Sequence, residues 1–164
     1  MTRGIISLVD SAPSLDLREL FATPWEGDAV VVRPWYARLV PAPATFRFRT
    51  EITGLRGNEW DVIDTATFPD GSVRRRTMHA RQLAEDLVEV TADDMPGGAQ
   101  VRLRHDGFDF TPYVIRTPVL GRLRVPLRHH DTVCVTADRT LTDTIEVRLL
   151  GLRVATVTMR LRRR

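Results

Sequence analysis

The sequence predicts an all-β fold: an antiparallel up-and-down β-barrel of about ten strands with a short N-terminal helix. Two observations support this prediction. Short alternating runs of apolar and polar residues recur along most of the chain and are separated by turn signals. Helical periodicity appears only near the N-terminus. At 164 residues the chain fits one domain, which we expect to span residues 1–164, with an N-terminal arm and the short helix in 1–22.

The predicted helix covers residues 15–21, where leucines recur at helical spacing, and we expect it to end before the following Thr-Pro pair. The clearest strand covers residues 44–52. There Phe46, Phe48 and Ile52 share one face, and charged side chains occupy the other. This alternation is typical of a strand with one buried face.

A second strand, 60–68, ends at the sequence Pro-Asp-Gly, which favours a hairpin turn, and residues 73–81 return antiparallel. Consecutive hairpins need no crossover, so a meander is the simplest topology. Closing the meander into a barrel removes its exposed edges, and an antiparallel sandwich is the alternative. Further strands are predicted at 86–92, 99–105, 107–116, 122–128, 132–137, 141–149 and 152–162.

Composition excludes several classes of function. The 24 cations are all arginine, and the net charge is +3. Without lysine the chain can form neither a Schiff base nor a P-loop nucleotide site. A GC-rich genome explains this arginine usage better than a nucleic-acid surface does, although the basic tail 160–164 would favour one. No apolar run approaches the ~20 residues of a membrane span, and no signal peptide is evident. We therefore expect a cytoplasmic protein.

The segment RHHDTVCV contains two of the four histidines, an aspartate and the single cysteine. Adjacent strand residues point to opposite faces, so His129 and His130 cannot easily bind one metal ion. Nothing nearby would activate Cys134 as a nucleophile, and its apolar neighbours indicate a core residue. We predict no metal site here, and we interpret the segment as a bend between two strands with partly exposed histidines.

Several segments resemble a bacterial lipocalin-like family known only as a domain of unknown function. Its pattern contains an acidic-x-Phe-x-Tyr strand, an Asp-Gly turn, an Arg-x-Trp strand, an Ala-Asp-Asp motif and a C-terminal block that begins Thr-Leu-x-Asn. This sequence has Ala66, Met78 and Asp143 in place of the phenylalanine, tryptophan and asparagine, and it keeps an acid at Asp131. The resemblance implies a lipocalin-like barrel but no catalytic residues. The matching segments, within residues 20–162, are 64–68, 70–71, 76–78, 92–94, 140–143 and 151–158.

One polar group is expected to face the barrel interior. Asp64 shares the parity of Trp60 on an otherwise apolar strand face. The resemblance implies that the face carrying Arg76 and Met78 also points inward. A buried carboxylate needs a partner, and arginine is the best bidentate one. We therefore expect an Asp64–Arg76 pair, joined by Asp94, that either fixes strand register or serves a ligand as a polar anchor or an acid–base pair.

A barrel of this size can hold one small ligand, and the proline-flanked segment 34–43 is predicted to form a loop or lid over its mouth. Our first hypothesis is binding of a small hydrophobic or amphipathic molecule without a cofactor. The catalytic candidates are Asp64, Arg76 and Asp94. The predicted ligand-binding residues are Trp35, Tyr36, Phe48, Trp60, Asp64, Arg76, Met78, Phe110, Tyr113 and Asp131.

Three other functions stay open. The main alternative is a cofactor-independent isomerase or cyclase acting on a lipophilic, polyketide- or terpenoid-like substrate in the same cavity. Haem is another candidate occupant, although no histidine stands out as its ligand. An interaction protein could instead use its arginines to meet an acidic partner. The sequence leaves open whether the protein is an enzyme and whether it forms a homodimer.

Overall fold

A computed structural model describes residues 15–38, 42–120, 123–136 and 138–164, with residues 119–120 described by their backbone alone. These residues form one short helix, α1 (Leu17–Leu20), a 3₁₀ turn (Trp35–Ala37) and a series of strands. The strands are β1 (Trp25–Val32), β2 (Thr45–Arg56), β3 (Glu59–Thr67), β4 (Val73–Ala84), β5 (Leu87–Ala92), β6 (Met95–Leu103), β7 (Gly107–Phe110), β8 (Tyr113–Leu120), β9 (Leu123–Val135), β10 (Thr140–Leu149) and β11 (Leu152–Arg163).

The strands form a single antiparallel sheet that closes on itself. Neighbours in sequence pair with one another from β1 to β7 and from β8 to β11, and β1 pairs with β11. β7 and β8 occupy a single strand position in the barrel. The strand is interrupted between them at Pro112, and both segments pair with β9. The result is a closed antiparallel barrel with ten strand positions. The predicted up-and-down barrel is confirmed, and the alternative sandwich is excluded.

Strand β9 corrects the interpretation of the histidine segment. It is one continuous strand that runs through residues 129–131 and pairs with β10 along this length. The predicted bend is therefore wrong. His129 and Asp131 face the interior, while His130 and Cys134 are exposed on the outer face. Cys134 is thus not a core residue, since its parity places it opposite to the buried Val133.

Strand β1 was not among the predicted strands. Its sequence, WEGDAVVV, lacks a clean alternation because Gly27 and Asp28 follow each other in its middle. Nevertheless, β1 pairs along its whole length with β11 and along most of it with β2. Gly27 permits this, because a Cβ atom at that position would lie 1.9 Å from the carbonyl oxygen of Arg160. The seam of the barrel therefore depends on close backbone packing at a glycine.

The short helix closes one end of the barrel. Leu17 and Leu20 of α1 are buried in the core. The indole Nε1 of Trp25 donates a hydrogen bond to the carbonyl oxygen of Leu20 at 2.8 Å. The Arg163 guanidinium lies 5.3 Å above the Trp25 ring and donates to the same carbonyl, so it stabilises the C-terminal end of α1. No helix in the described segments is long and apolar enough to cross a membrane.

At the end of the barrel opposite α1, the wall is shortest at the turn between β5 and β6, residues 93–94. The last register pairing between β4 and β5 is His79 opposite Thr91, so β4 continues for six residues, 73–78, beyond this pair. The Arg116 N–H of β8 donates to the Asp94 carbonyl oxygen at 2.8 Å. Beyond Arg116, the described residues of β8 pair with β9 alone. Three strand spacings separate β4 from β8 there, on the order of 14 Å along the wall. We call this gap the side opening.

Candidate ligand cavity

The barrel encloses a cavity of about 480 Å³, within the range of roughly 300–1,000 Å³ that is typical of small-molecule sites. The end near α1 is lined by apolar side chains such as Phe21, Trp60 and Phe108. The opposite end, which we call the mouth, includes Arg74 and Arg116. The cavity thus changes from apolar at its closed end to basic at its open end.

A polar layer crosses the cavity at mid-height. Thr50, Asp64 and Arg76 lie directly opposite one another on β2, β3 and β4. On the far wall, Asp131 of β9 and Asp143 of β10 are diagonal neighbours, because Asp131 lies opposite Ile145. We use the name polar layer for Thr50, Asp64, Arg76, Asp94, Tyr113, His129, Asp131 and Asp143, which border the cavity.

The ion pair in this layer differs from the predicted one. Arg76 donates through Nε to Asp94 Oδ1 at 3.0 Å, and its terminal nitrogen lies 3.6 Å from the sulfur of Met95. Asp64 is the cross-strand neighbour of Arg76 but hydrogen-bonds to the Thr50 hydroxyl. The prediction of a direct Asp64–Arg76 ion pair is therefore wrong. Asp94, which was predicted as the third member of the group, is the partner of Arg76. The Arg76 charge acts to lower the pKa of Asp64, although the two side chains are not in direct contact.

On the far wall, Tyr113 holds two of the polar residues. Its hydroxyl donates to Asp131 Oδ2 at 2.7 Å, and its ring stacks on His129 with the centroids 5.5 Å apart. Three buried atoms in the described chain have no protein partner: His129 Nε2, Asp131 Oδ1 and Asp143 Oδ1. A buried polar atom is costly without a hydrogen bond. These atoms therefore offer hydrogen-bonding capacity to whatever occupies the cavity.

Burial sets the protonation of the layer. It raises the pKa of Asp64 to about 6, against the opposing effects of the Thr50 hydrogen bond and the Arg76 charge. Burial also raises the pKa of Asp131 and, with repulsion from Asp131 and Asp64, that of Asp143. The pKa of His129 falls to about 4, through burial and then the Arg76 charge. At neutral pH the imidazole is uncharged and Asp64 is largely ionised, whereas Asp131 and Asp143 keep their protons to a higher pH than they would in water. The layer can therefore both donate and accept hydrogen bonds.

The structure brings most of the predicted residues together. Those that border the cavity are Phe48, Trp60, Asp64, Arg76, Met78, Asp94, Phe110, Tyr113 and Asp131. Trp35 and Tyr36 do not border it: they form the 3₁₀ turn at the mouth, and the Tyr36 hydroxyl donates to the Arg153 carbonyl oxygen at 2.8 Å. Trp35 is 80% exposed and Tyr36 43%. Of the predicted loop 34–43, residues 39–41 lie outside the described residues; the rest lies at the barrel mouth, but its aromatic rings lie outside the cavity.

Sequence reasoning missed three members of the polar layer: Thr50, His129 and Asp143. A signal for His129 and Asp143 was present. His129 and Asp131 share the parity of the buried Val133, and Asp143 shares that of the buried Leu141. Extending the apolar alternation through these polar residues would have placed them inside the barrel.

The fold and the cavity define a closed antiparallel β-barrel with ten strand positions and an enclosed polar layer. The family model described as a protein of unknown function, DUF3833, matches residues 4–163, and the chain belongs to this family. No protein of curated function matches the chain.

A similar fold occurs in a solved structure from Nostoc punctiforme, a protein of unknown function from the DUF3598 family. The TM-score is 0.63 and the identity 17%, over 93% of this chain. The chain spans about half of that structure, 51% of its length. At this identity the likeness shows the fold alone.

Proposed function

We propose that the barrel binds one small, mainly hydrophobic or amphipathic molecule in its cavity, in the manner of lipocalins. The observation that carries this proposal is the set of three unpartnered polar atoms on His129, Asp131 and Asp143, which border a mainly apolar cavity. An apolar body would fill the closed end, and one polar group would complete the hydrogen bonds of the polar layer.

A neutral hydroxyl, carbonyl or enol suits this layer best. Asp131 and Asp143 retain protons because of their raised pKa and can donate, while the neutral His129 donates or accepts according to its tautomer. A ligand carboxylate fits less well, because the layer already contains four aspartates and its one arginine, Arg76, is paired with Asp94. The side opening gives a molecule of this kind a second route into the cavity, in addition to the mouth.

Filling the cavity should weaken binding. Ala66 borders the cavity on β3, and an Ala66→Phe substitution would place a ring there. With the neutral fluorescent probe N-phenyl-1-naphthylamine, we expect wild-type protein to bind one probe and Ala66→Phe to bind it roughly tenfold or more weakly. Fluorescence titration measures both affinities.

The matched control is Thr67→Phe, which adds the same ring at the next position, on the exposed outer face of β3. It should bind the probe as the wild type does. Equal affinities for the wild type and Ala66→Phe, with both folded by circular dichroism, would contradict the cavity as the binding site.

Native mass spectrometry of the purified protein should identify the natural occupant as an added mass.

One observation favours a second candidate, a cofactor-independent isomerase or cyclase acting on a polyketide- or terpenoid-like substrate. The Asp131 carboxyl, held by Tyr113, and the neutral imidazole of His129 border the same apolar cavity. A carboxyl whose pKa is raised to about 7 can donate or accept a proton near neutral pH, and a neutral imidazole can orient the substrate by a hydrogen bond. For such an enzyme, Asp131→Asn should keep the copurifying molecule bound but lose its conversion, whereas full conversion by this variant would exclude the mechanism.

A further inference from the structure

Exposed apolar side chains concentrate at the mouth of the barrel. Of the ten large hydrophobic residues exposed in the described segments, seven lie on turns or strand ends at this end. We name them the mouth rim: Val32, Trp35, Tyr36, Val73, Leu123, Leu150 and Leu152. They come from four separate connections, β1–β2, β3–β4, β8–β9 and β10–β11. Their clustering sets this end apart from the rest of the surface.

The fold itself does not call for a leucine at the tip of the β10–β11 turn. Leu150 is 94% exposed and has φ of 50°, and Gly151 follows with φ of 84°. Two successive positive φ angles define a hairpin turn that favours asparagine or aspartate at the first of these positions and glycine at the second. Gly151 matches this preference, but Leu150 places a large apolar side chain in water on a disfavoured backbone.

The same end carries a strong positive charge. In the described turns and strand ends around the mouth, the exposed acidic residues are Asp70 and Asp93, against seven exposed arginines. At the opposite end, acids such as Glu59, Asp86 and Asp106 alternate with arginines. The exposed arginines around the mouth are Arg38, Arg74, Arg75, Arg116, Arg124, Arg148 and Arg153.

We propose that the mouth rim docks on an anionic lipid surface, with its apolar side chains in the interfacial region and the surrounding arginines on the lipid headgroups. Tryptophan and tyrosine favour this region of a bilayer, and basic residues strengthen binding by about fivefold each near an anionic surface. A second copy of the chain is a poorer occupant, because a symmetric contact would oppose the two sets of arginines. Docking in this orientation turns the mouth and the side opening towards the lipid.

The tryptophans provide a direct readout. Trp25 and Trp60 are 0% and 2% exposed, whereas Trp35 on the rim is 80% exposed. With vesicles of phosphatidylcholine and phosphatidylglycerol in equal amounts, the protein should cosediment, and its emission should shift to shorter wavelength. Trp35→Phe should remove the shift and retain cosedimentation. Added salt, or vesicles of phosphatidylcholine alone, should weaken binding.

The rim variant is Leu150→Asn combined with Leu152→Asn, and we expect it to bind vesicles roughly tenfold or more weakly. Asparagine suits the turn at position 150, so misfolding is not expected to cause the loss. The control is Leu55→Asn at the opposite end, where Leu55 is 56% exposed; it should bind as the wild type does.

Three outcomes would overturn the proposal: no cosedimentation of the wild type, equal binding to uncharged vesicles, or equal losses in the rim variant and Leu55→Asn. Self-association without vesicles that the rim variant abolishes, seen by analytical ultracentrifugation, would assign the rim to a second copy instead. N-phenyl-1-naphthylamine binding should be normal in the rim variant, so failure of this proposal is distinguishable from failure of the cavity as a binding site.

Discussion

Replacing Asp143 by asparagine should raise the free energy of unfolding by about 2 kcal/mol at pH 8 and leave it nearly unchanged at pH 4. Burial and the charges of Asp131 and Asp64 raise the pKa of Asp143 well above its ordinary value. The folded protein therefore binds this proton more tightly than the unfolded chain does. Asparagine keeps the shape of the side chain and removes the charge that the cavity disfavours.

The direction of the pH dependence follows from the same shifts. A carboxyl whose pKa is raised by folding stabilises the protein fully below its unfolded pKa, near 4, and this contribution is lost as the pH rises through the folded pKa. For Asp64 that loss runs from about pH 4 to about pH 6. Wild-type stability should thus fall from about pH 4 towards neutral pH, because Asp131 and Asp143 are shifted in the same direction.

Urea unfolding at a series of pH values measures this effect. In Asp143→Asn the fall in stability with rising pH should be shallower than in the wild type. Asp28→Asn, on the exposed face of β1, controls for the loss of one negative charge and should follow the wild-type curve. A gain of the same size at pH 4 and pH 8 would show that ionisation of Asp143 is not its cause.

Replacing Gly27 by alanine should lower the free energy of unfolding by about 3 kcal/mol or more. The added Cβ would lie 1.9 Å from the Arg160 carbonyl oxygen. Both groups belong to paired backbone, so neither can rotate away as a side chain would. β1 and β11 would have to separate around the Gly27–Leu161 pair, at the seam that closes the barrel.

Asp28→Ala is the control for this variant, since it changes the next residue of β1 on its exposed face. Thermal and urea unfolding should show a large loss for Gly27→Ala and a small change for Asp28→Ala. Similar midpoints for both variants would contradict tight backbone packing at the seam.

The hairpins of this fold could be predicted from the sequence because local chemistry determines them. The Pro-Asp-Gly sequence before β4 fixes a turn, and Phe46 and Phe48 show which face of β2 is buried. Strand β1 escaped prediction for a tertiary reason: Gly27 and Asp28 have low strand propensity, and the strand is held by pairing with β11 at the other end of the chain.

The candidate site was predicted in part for a related reason. Asp64 stood out because its strand face is otherwise apolar, and Arg76 faces it across the β3–β4 hairpin. That Arg76 contacts Asp94 instead depends on where the β5–β6 turn lies relative to β4, which no local pattern encodes. His129 was assigned to a bend because consecutive polar residues usually mark turns, whereas here they belong to a strand whose inner face borders a polar layer.

The pairing of β1 with β11 also has a consequence for biosynthesis. Every other strand meets partners that are near it in sequence, so the hairpins can form in turn as the chain leaves the ribosome. β1 keeps an unpaired edge until β11 has been made, since Trp25 lies opposite Arg163. Throughout translation, the nascent sheet therefore presents two open edges, which are templates for pairing with other chains. β11 is the last strand of the barrel to be synthesised and its pairing with β1 ends this exposure, so pauses in translation before β11 should be the periods of greatest aggregation risk.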